Sequence, residues 1–206
     1  MAASFGSPAM EPFDPLLVAE LAVRAKAQLR ARMRALRSAH PGKARLERSL
    51  RVVERVLALP EFQAARSVAL FASLASSGEV ELASLDEAAR ALGKRVYYPT
   101  IVRFGERDHT ALAEAREASE LAVRGRRFAE PPDGAPRAER GDVDLVVVPA
   151  LAVSASGHRL GYGGGFYDAM LPDFCPPAVA VVVAFDFQLV AELPTEPHDV
   201  PCALVV

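Results

Sequence analysis

Apolar residues recur at two periods along this chain, and the alternation between them lays out its elements. From residue 15 to about 38, Ala22, Leu29, Met33 and Leu36 share one face at helical spacing. Pro41-Gly42 interrupts that pattern. A second helix is predicted over 43–58, with Leu46, Leu50, Val53 and Leu57 on its apolar side and its arginines toward solvent. The period then shortens. Residues 67–74 (SVALFASL) read as a strand, 75–78 as a loop, and 82–92 as a helix stopped by Gly93. A strand follows at 95–99, then a strand edge and a short helix within 109–122. Residues 143–148 form an apolar run ended by Pro149, short enough and apolar enough for a strand covered on both faces. A helix starts over 166–171, and 178–185 reads as another buried strand. Strand–helix–strand succession implies parallel pairing, so the expected architecture is a three-layer α/β fold. Residues 1–14, with Gly, Ser and two prolines, read as a loose tail, and 15–206 as a single domain without internal repeats.

Composition narrows the class. The 206 residues are 51% hydrophobic and 24% charged, a globular balance with enough apolar side chains for a sizeable core. No apolar run approaches the roughly 18 residues of a membrane span. The N-terminus lacks an apolar signal core, and Glu11, Asp14 and Glu20 argue against a transit peptide. Cys175 and Cys202 read as free thiols in a reducing cytoplasm, and the scattered His40, His109, His158 and His198 make no zinc pattern. The net charge of −2 conceals an asymmetry: residues 24–55 hold eleven Lys or Arg against two Glu, a local +9 that leaves −11 for the remainder. A basic region beside an acidic body invites an anionic ligand.

Two features give that anion a place. On the first helix Lys26, Arg30, Arg34 and Arg37 share a face at i, i+4, i+8 and i+11, where like charges repel. Such a stripe is either a solvated face or the seat of an anionic partner. The second feature is a glycine loop: Gly157, Gly161, Gly163, Gly164 and Gly165 fall within nine residues, between the 143–148 strand and the 166–171 helix. Glycines let backbone N–H groups approach a phosphate, and a helix N-terminus adds positive potential. Asp168, in the first turn of that helix, is placed to hold a metal ion riding on the phosphates. Tyr162, Phe166 and Tyr167 are candidates for stacking on flat rings. The loop fits neither G-x-x-x-x-G-K-[ST] nor G-x-G-x-x-G, so a flexible turn is the plain alternative.

The run GHRLGYGGGFYD (157–168) resembles the signature of the 5-formyltetrahydrofolate cyclo-ligase, or methenyltetrahydrofolate synthetase, family. That family shows P-G-L-A-F-D and then G-x-R-L-G-x-G-x-G-Y-Y-D. Gly157, Arg159, Leu160, Gly161, Gly163, Gly165, Tyr167 and Asp168 match it. Ala150 replaces a glycine, Val153-Ser154 replaces Phe-Asp, Phe166 replaces a tyrosine, and Ala169 stands where a basic residue is common. KAQLR at 26–30 matches the family's K-x-x-x-R, and Glu79-Val80 its E-[VI]-x-T, without the threonine. Thr100 departs from a commonly basic position, while Glu130-Pro131 matches a structural E-P element. Residues 185–201 follow the family's F-x-x-Q … L-P … H-D element, with Asp199 as its acid. The likeness covers about residues 20–206.

The resemblance implies a Rossmann-like, mostly parallel sheet of the NagB/RpiA/CoA-transferase kind. It implies ATP- and magnesium-dependent closure of 5-formyltetrahydrofolate to 5,10-methenyltetrahydrofolate. Lys26, Arg30, Arg159, Leu160, Gly161, Tyr162, Gly163, Gly164, Gly165, Phe166 and Tyr167 would bind ATP. Glu79, Tyr162, Gly163, Gly164, Gly165 and Phe166 would bind the folate, with Glu79 on the pterin. Asp168 and Asp199 would hold Mg2+, and Arg159 and Asp168 would serve the chemistry. The expected partners are small molecules alone, with no nucleic acid and no membrane, and the expected state is a cytoplasmic monomer. A non-catalytic folate- or nucleotide-binding relative is the alternative. A nucleic-acid binder would explain the arginines but leave the glycine loop idle.

Overall fold

The structure is a computed structural model that describes residues 14–73, 77–104, 107–123 and 128–206. The expected tail lies outside the described residues apart from Asp14, as does the 74–76 part of the strand and loop predicted over 67–78. Among the described residues, no helix is long and apolar enough to cross a membrane.

Three helices open the chain: α1 (Pro15–Ser38), α2 (Gly42–Leu57) and α3 (Pro60–Ala64). Strand β1 (Ser67–Ala69) then leads through α4 (Ala83–Ala91) to β2 (Arg95–Phe104), which turns into β3 (Arg107–Glu114). A 3-10 turn at Ala118–Glu120 and the short pair β4 (Ala122–Val123) and β5 (Ala129–Glu130) precede β6 (Leu145–Pro149). The second half holds β7 (Ala152–Ser154), β8 (Arg159–Leu160), α5 (Phe166–Phe174) and β9 (Val179–Val183). It ends with β10 (Leu189–Val190) and β11 (Leu204–Val205).

The central sheet has six strands in the order β11-β9-β6-β1-β2-β3. All neighbours run parallel except the β2–β3 hairpin. This is the mixed α/β architecture expected from the strand–helix–strand pattern. The β6 run is apolar throughout because both its faces are covered. Leu145 and Val147 join a cluster with Val52, Val53 and Val56 of α2 and Leu85 and Ala89 of α4. Val146 and Val148 join another with Met170, Leu171 and Phe174 of α5. Strand β9 divides the same way, Val181 and Val183 to the first cluster and Ala180 and Val182 to the second.

Two helix faces differ from their expectation. In α2 the buried stripe is Ser49, Val52, Val53 and Val56, whereas Leu46 and Leu50 are 51% and 43% exposed. The stripe is rotated because Ser49 has work inside: its hydroxyl donates to the Arg45 carbonyl and accepts the Glu81 N–H, tying the helix to the loop before α4. In α1 the inward positions are Lys26, Met33 and Arg37, with Leu29 and Arg30 half-buried, while Arg34 and Leu36 face outward. The stripe read as a possible solvated face therefore packs largely inward, its stems covering apolar surface and its heads reaching acceptors far along the chain.

Strand lengths also depart. The β1 ladder stops at Ala69, although Leu70 and Phe71 stay buried. Strand β2 runs past Pro99 to Phe104 because β3 returns along it. Glu130, expected to be structural, is buried and accepts the Thr100 hydroxyl at 3.0 Å and the Ile101 N–H at 2.7 Å.

Candidate active site

The sheet order itself points to a crevice. From β1 the chain crosses to β2 on one side, and from β6 it crosses to β9 on the other. Connections leaving β1 and β6 therefore diverge, and ligands of open parallel sheets bind in the gap outside the carboxyl ends of such strands. The loop after β1 carries Glu79. The path after β6 runs through the β7–β8 hairpin into the glycine loop and α5. Tyr162 joins the two sides, its hydroxyl donating to the Ser77 carbonyl at 3.4 Å.

The loop is shaped for an anion. Gly163 (φ +103°) and Gly165 (φ +66°) adopt backbone conformations that favour glycine, and Gly165 is the N-cap of α5. A Cβ placed on Gly161 or Gly165 would meet nothing within 4 Å, so open space borders the backbone there. The N–H groups of Gly163, Gly164 and Gly165 have no acceptor among the described residues. The first N–H groups of α5 have none within the helix either. Arg30 lies across this loop: its Nε donates to the Gly161 carbonyl at 3.0 Å, and its guanidinium carbon is 3.6 Å from where a Gly163 Cβ would stand. Gly157 serves a different purpose. Its Cβ would fall 2.0 Å from the Cys202 carbonyl oxygen, so glycine is required for the C-terminal segment to pass.

The remaining candidates divide between the crevice and the interior. Tyr162 and Phe166 are exposed, Phe166 meeting Phe128 edge to face with ring centroids 6.0 Å apart. Tyr167 instead packs beneath the Arg159 guanidinium, and burial pushes its phenol well above the usual range. Leu160 is buried with Met33, Leu151 and Ala152, leaving only its backbone for a ligand. Arg159 also turns inward, its side chain 3% exposed. It donates to Asp168 Oδ1 at 2.9 Å, to the Val200 carbonyl and, at 3.7 Å, to the Cys202 sulfur. Its geometry is that of a group fixing Asp168, and the cation facing the loop is Arg30.

The two aspartates meet the same segment. Asp168 Oδ1 also accepts the Val200 N–H at 3.1 Å, which seats the residue after Asp199 against the first turn of α5. Oδ2 of Asp168 has no partner among the described residues. Asp199 Oδ2 accepts the Glu196 N–H at 2.8 Å and Lys26 Nζ at 2.7 Å, and the same Nζ reaches Glu196 Oε2 at 2.6 Å. Burial opposes the Asp199 charge, but hydrogen bonds from Lys26 and the Glu196 N–H prevail and hold the carboxyl below its ordinary value. Burial likewise opposes the Lys26 charge, and the two carboxylates raise it on balance. Glu196, His198 and Asp199 offer ligand atoms within 4.8 Å of one another. Carboxylate oxygens of Asp168, Asp199 and Glu196 are the hard donors that magnesium takes, so the residues present fit that ion.

Two residues of this arrangement were not singled out from sequence. Glu196 was hidden in a proline-rich stretch and is visible only as the first acid of E-P-H-D. Arg37 belongs by spacing to the basic stripe, yet it contacts both walls of the crevice. A groove of about 510 Å³ beside α2 is lined by Arg48, Arg51 and Arg55 and by no residue of the glycine loop.

Comparison with known proteins decides the family. The sequence profile of the 5-formyltetrahydrofolate cyclo-ligase family matches residues 22–206. The chain belongs to this family. The 5-formyltetrahydrofolate cyclo-ligase of Escherichia coli is 33% identical over 154 residues, 74% of this chain and 83% of that protein. That of Mycolicibacterium smegmatis is 47% identical over 70 residues, 34% of this chain and only 36% of that protein's length. The NMR structure of Aquifex aeolicus 5,10-methenyltetrahydrofolate synthetase superposes with a TM-score of 0.74 at 29% identity, covering 87% of this chain and 88% of that one. Cyclo-ligase membership thus rests on nearly the whole chain, including α1 and the segment that carries Asp199.

Proposed function

We propose that this chain closes 5-formyltetrahydrofolate to 5,10-methenyltetrahydrofolate with consumption of ATP. The observation that carries this reading is the crevice itself. A glycine loop whose N–H groups have no acceptor among the described residues, crossed by Arg30 and joined through Tyr162 to the loop that carries Glu79, lies where the strand order reverses. The chemical obstacle is an inert formamide whose oxygen leaves poorly. Transfer of the γ-phosphoryl group to that oxygen, with ADP departing, makes it a good leaving group. N10 of the folate then attacks the activated carbon, the five-membered ring closes, and phosphate leaves. This demands alignment and neutralisation of spreading charge more than acid–base machinery.

The chain's residues divide that work. The loop N–H groups and Arg30 hold phosphate oxygens, and Lys26 is within the same assembly. Tyr162 and Phe166 offer faces to flat rings, and Glu79 accepts hydrogen bonds from a pterin. Asp168, Asp199 and Glu196 would hold magnesium, which neutralises phosphate charge when bound. Arg159 keeps Asp168 oriented. The fold reads as the NagB/RpiA/CoA-transferase-like three-layer type, and the protein as a cytoplasmic monomer acting on small molecules. Ser154 and Thr100, departures that motivate a non-catalytic alternative, both have structural hydrogen bonds, to Ser156 and to Glu130. The decisive experiment follows methenyl absorbance with purified protein, ATP, magnesium and 5-formyltetrahydrofolate. No absorbance change while ATP still binds would instead establish the non-catalytic relative.

A further inference from the structure

Arg37 ends the inward stripe of α1, two turns beyond Arg30, and touches both walls of the crevice. Its Nε donates to the Gly78 carbonyl at 3.0 Å, on the β1 side. Its Nη1 donates to the Tyr162 hydroxyl at 3.0 Å, on the glycine-loop side, and its guanidinium carbon lies 5.7 Å from the Tyr162 ring centroid. Tyr162 returns to the first wall through the Ser77 carbonyl, and the Ser77 hydroxyl donates to Glu79 Oε2 at 2.7 Å. The contacts close a ring: Arg37, Gly78, Ser77, Tyr162, Arg37.

The packing is as specific as the hydrogen bonding. Gly78 has φ +65°, and a Cβ there would stand 3.4 Å from Arg37 Cβ and 3.6 Å from its carbonyl oxygen. The end of α1 is thus seated directly on the loop that carries Glu79. The guanidinium is also costly. Arg37 is 3% exposed, and among the described residues its acceptors are neutral, with no ion pair. A buried charge without a carboxylate partner is unfavourable unless its hydrogen bonds are good. A neutral side chain would fill the space, and a lysine would supply the charge. Only a planar fork reaches two acceptors in fixed directions at once.

We propose that Arg37 is a positioning residue that locks the Glu79 loop to the glycine loop, so that Glu79 and Tyr162 meet a flat, hydrogen-bonding heteroaromatic ring as one preformed unit. The ring's identity as a folate pterin rests on the cyclo-ligase reading; the lock does not. Phosphate binding belongs to Arg30 and the loop N–H groups, so loss of the lock affects the ring and spares the nucleotide.

The test uses the full chain with Arg37→Lys, Tyr162→Phe and the double variant. Each single change is expected to raise KM for 5-formyltetrahydrofolate about tenfold, the scale of one lost hydrogen bond to a charged group. The ATP dissociation constant of Arg37→Lys stays within about twofold, because Arg37 touches none of the groups assigned to phosphate. The double variant is expected to be no worse than the poorer single one, because both changes break one ring of contacts. In the substrate-free protein, Tyr162→Phe should raise deuterium uptake across residues 77–80, a wall to which position 162 is not chain-connected. Multiplying losses, a parallel fall in ATP affinity in Arg37→Lys, or unchanged uptake at 77–80 would each overturn the lock. If Arg37→Lys fails to fold, Tyr162→Phe, at a 41% exposed position, still gives both readouts. A parent protein that makes no methenyl product removes the cyclo-ligase reading, and the exchange measurement then decides the lock by itself.

Discussion

Lys26 shows how one side chain can answer two demands. Its Nζ sits between Glu196 and Asp199 and offsets the repulsion of their two carboxylates. Asp199 lies below its ordinary 3.8, so its stabilising contribution is complete above that pH and is lost as the pH falls through the lower folded value. Lys26 lies above its ordinary 10.5, so its contribution is complete below that pH and is lost only in stronger base. Lys26→Met should therefore lower the melting temperature at neutral pH, with the deficit closing in acid below 3.8. Thermal melts from neutral pH to about pH 2 read this directly, and a deficit constant across that range would remove the ion pair from the account. The same variant should weaken ATP binding by roughly 1–3 kcal/mol, the scale of a lost charge-assisted contact. The glycines offer a matching contrast. Gly161→Ala has open space and leaves stability unchanged, yet it should reduce ATP affinity by crowding the cradle. Gly163→Ala should do both, because φ +103° costs a side chain about 1–3 kcal/mol. Calorimetric titration and melts of the pair separate cradle from conformation.

At the scale of elements, the limits of α1 and the existence of α2, α4, α5 and the β1, β2, β6 and β9 strands were legible, because each is set by local periodicity and by Pro or Gly stops. The orientation of the basic helices was not. Periodicity placed Leu46 and Leu50 inward, but the buried side of α2 is Ser49, Val52, Val53 and Val56. What decides between neighbouring stripes is the partner: the Glu81 N–H for Ser49, and in α1 the carboxylates of residues 196 and 199 for Lys26. Those partners lie 32 to 173 residues away, beyond any window of helical spacing. The glycine loop and Asp168 were legible as a compact motif. Arg159 was legible by type but not by direction, since its acceptors at Val200 and Cys202 come from the far end of the chain. The corrected face makes a prediction. Val56→Ala should cost about 2 kcal/mol through lost burial and the cavity left behind. Leu46→Ala and Leu50→Ala should each stay within about 0.5 kcal/mol. Urea midpoints would show the reverse order if the apolar side read from spacing were the packed one.

For the molecule as a whole, the site depends on a segment that contributes little to the sheet. Residues 196–202 pass beside α1, β8 and the first turn of α5 and are fastened from four directions. Lys26 of α1 holds Asp199 and Glu196, Asp168 of α5 accepts the Val200 N–H, Arg159 of β8 donates to the Val200 carbonyl, and the Cys202 N–H donates to the Gly157 carbonyl at 2.9 Å. These contacts seat the residue after Asp199 against the first turn of α5, the arrangement on which the proposed sharing of one ion by Asp168 and Asp199 depends. Gly157 is where that arrangement is most easily disturbed without touching a ligand group. A methyl there would stand 2.0 Å from the Cys202 carbonyl oxygen, against backbone that cannot rotate away, and at φ +81°. Gly157→Ala must therefore push the segment outward while Arg30 and the loop N–H groups keep their own supports; Asp168 loses the Val200 N–H and keeps the Arg159 guanidinium. ATP affinity without magnesium should change little. The gain in affinity on adding magnesium should shrink, because Asp199 and Glu196 leave with the segment. Titrating ATP into parent and variant, with and without the metal, isolates that difference. An unchanged magnesium gain in a folded Gly157→Ala protein would show that Asp168 alone serves the ion and that the segment has no part in holding it.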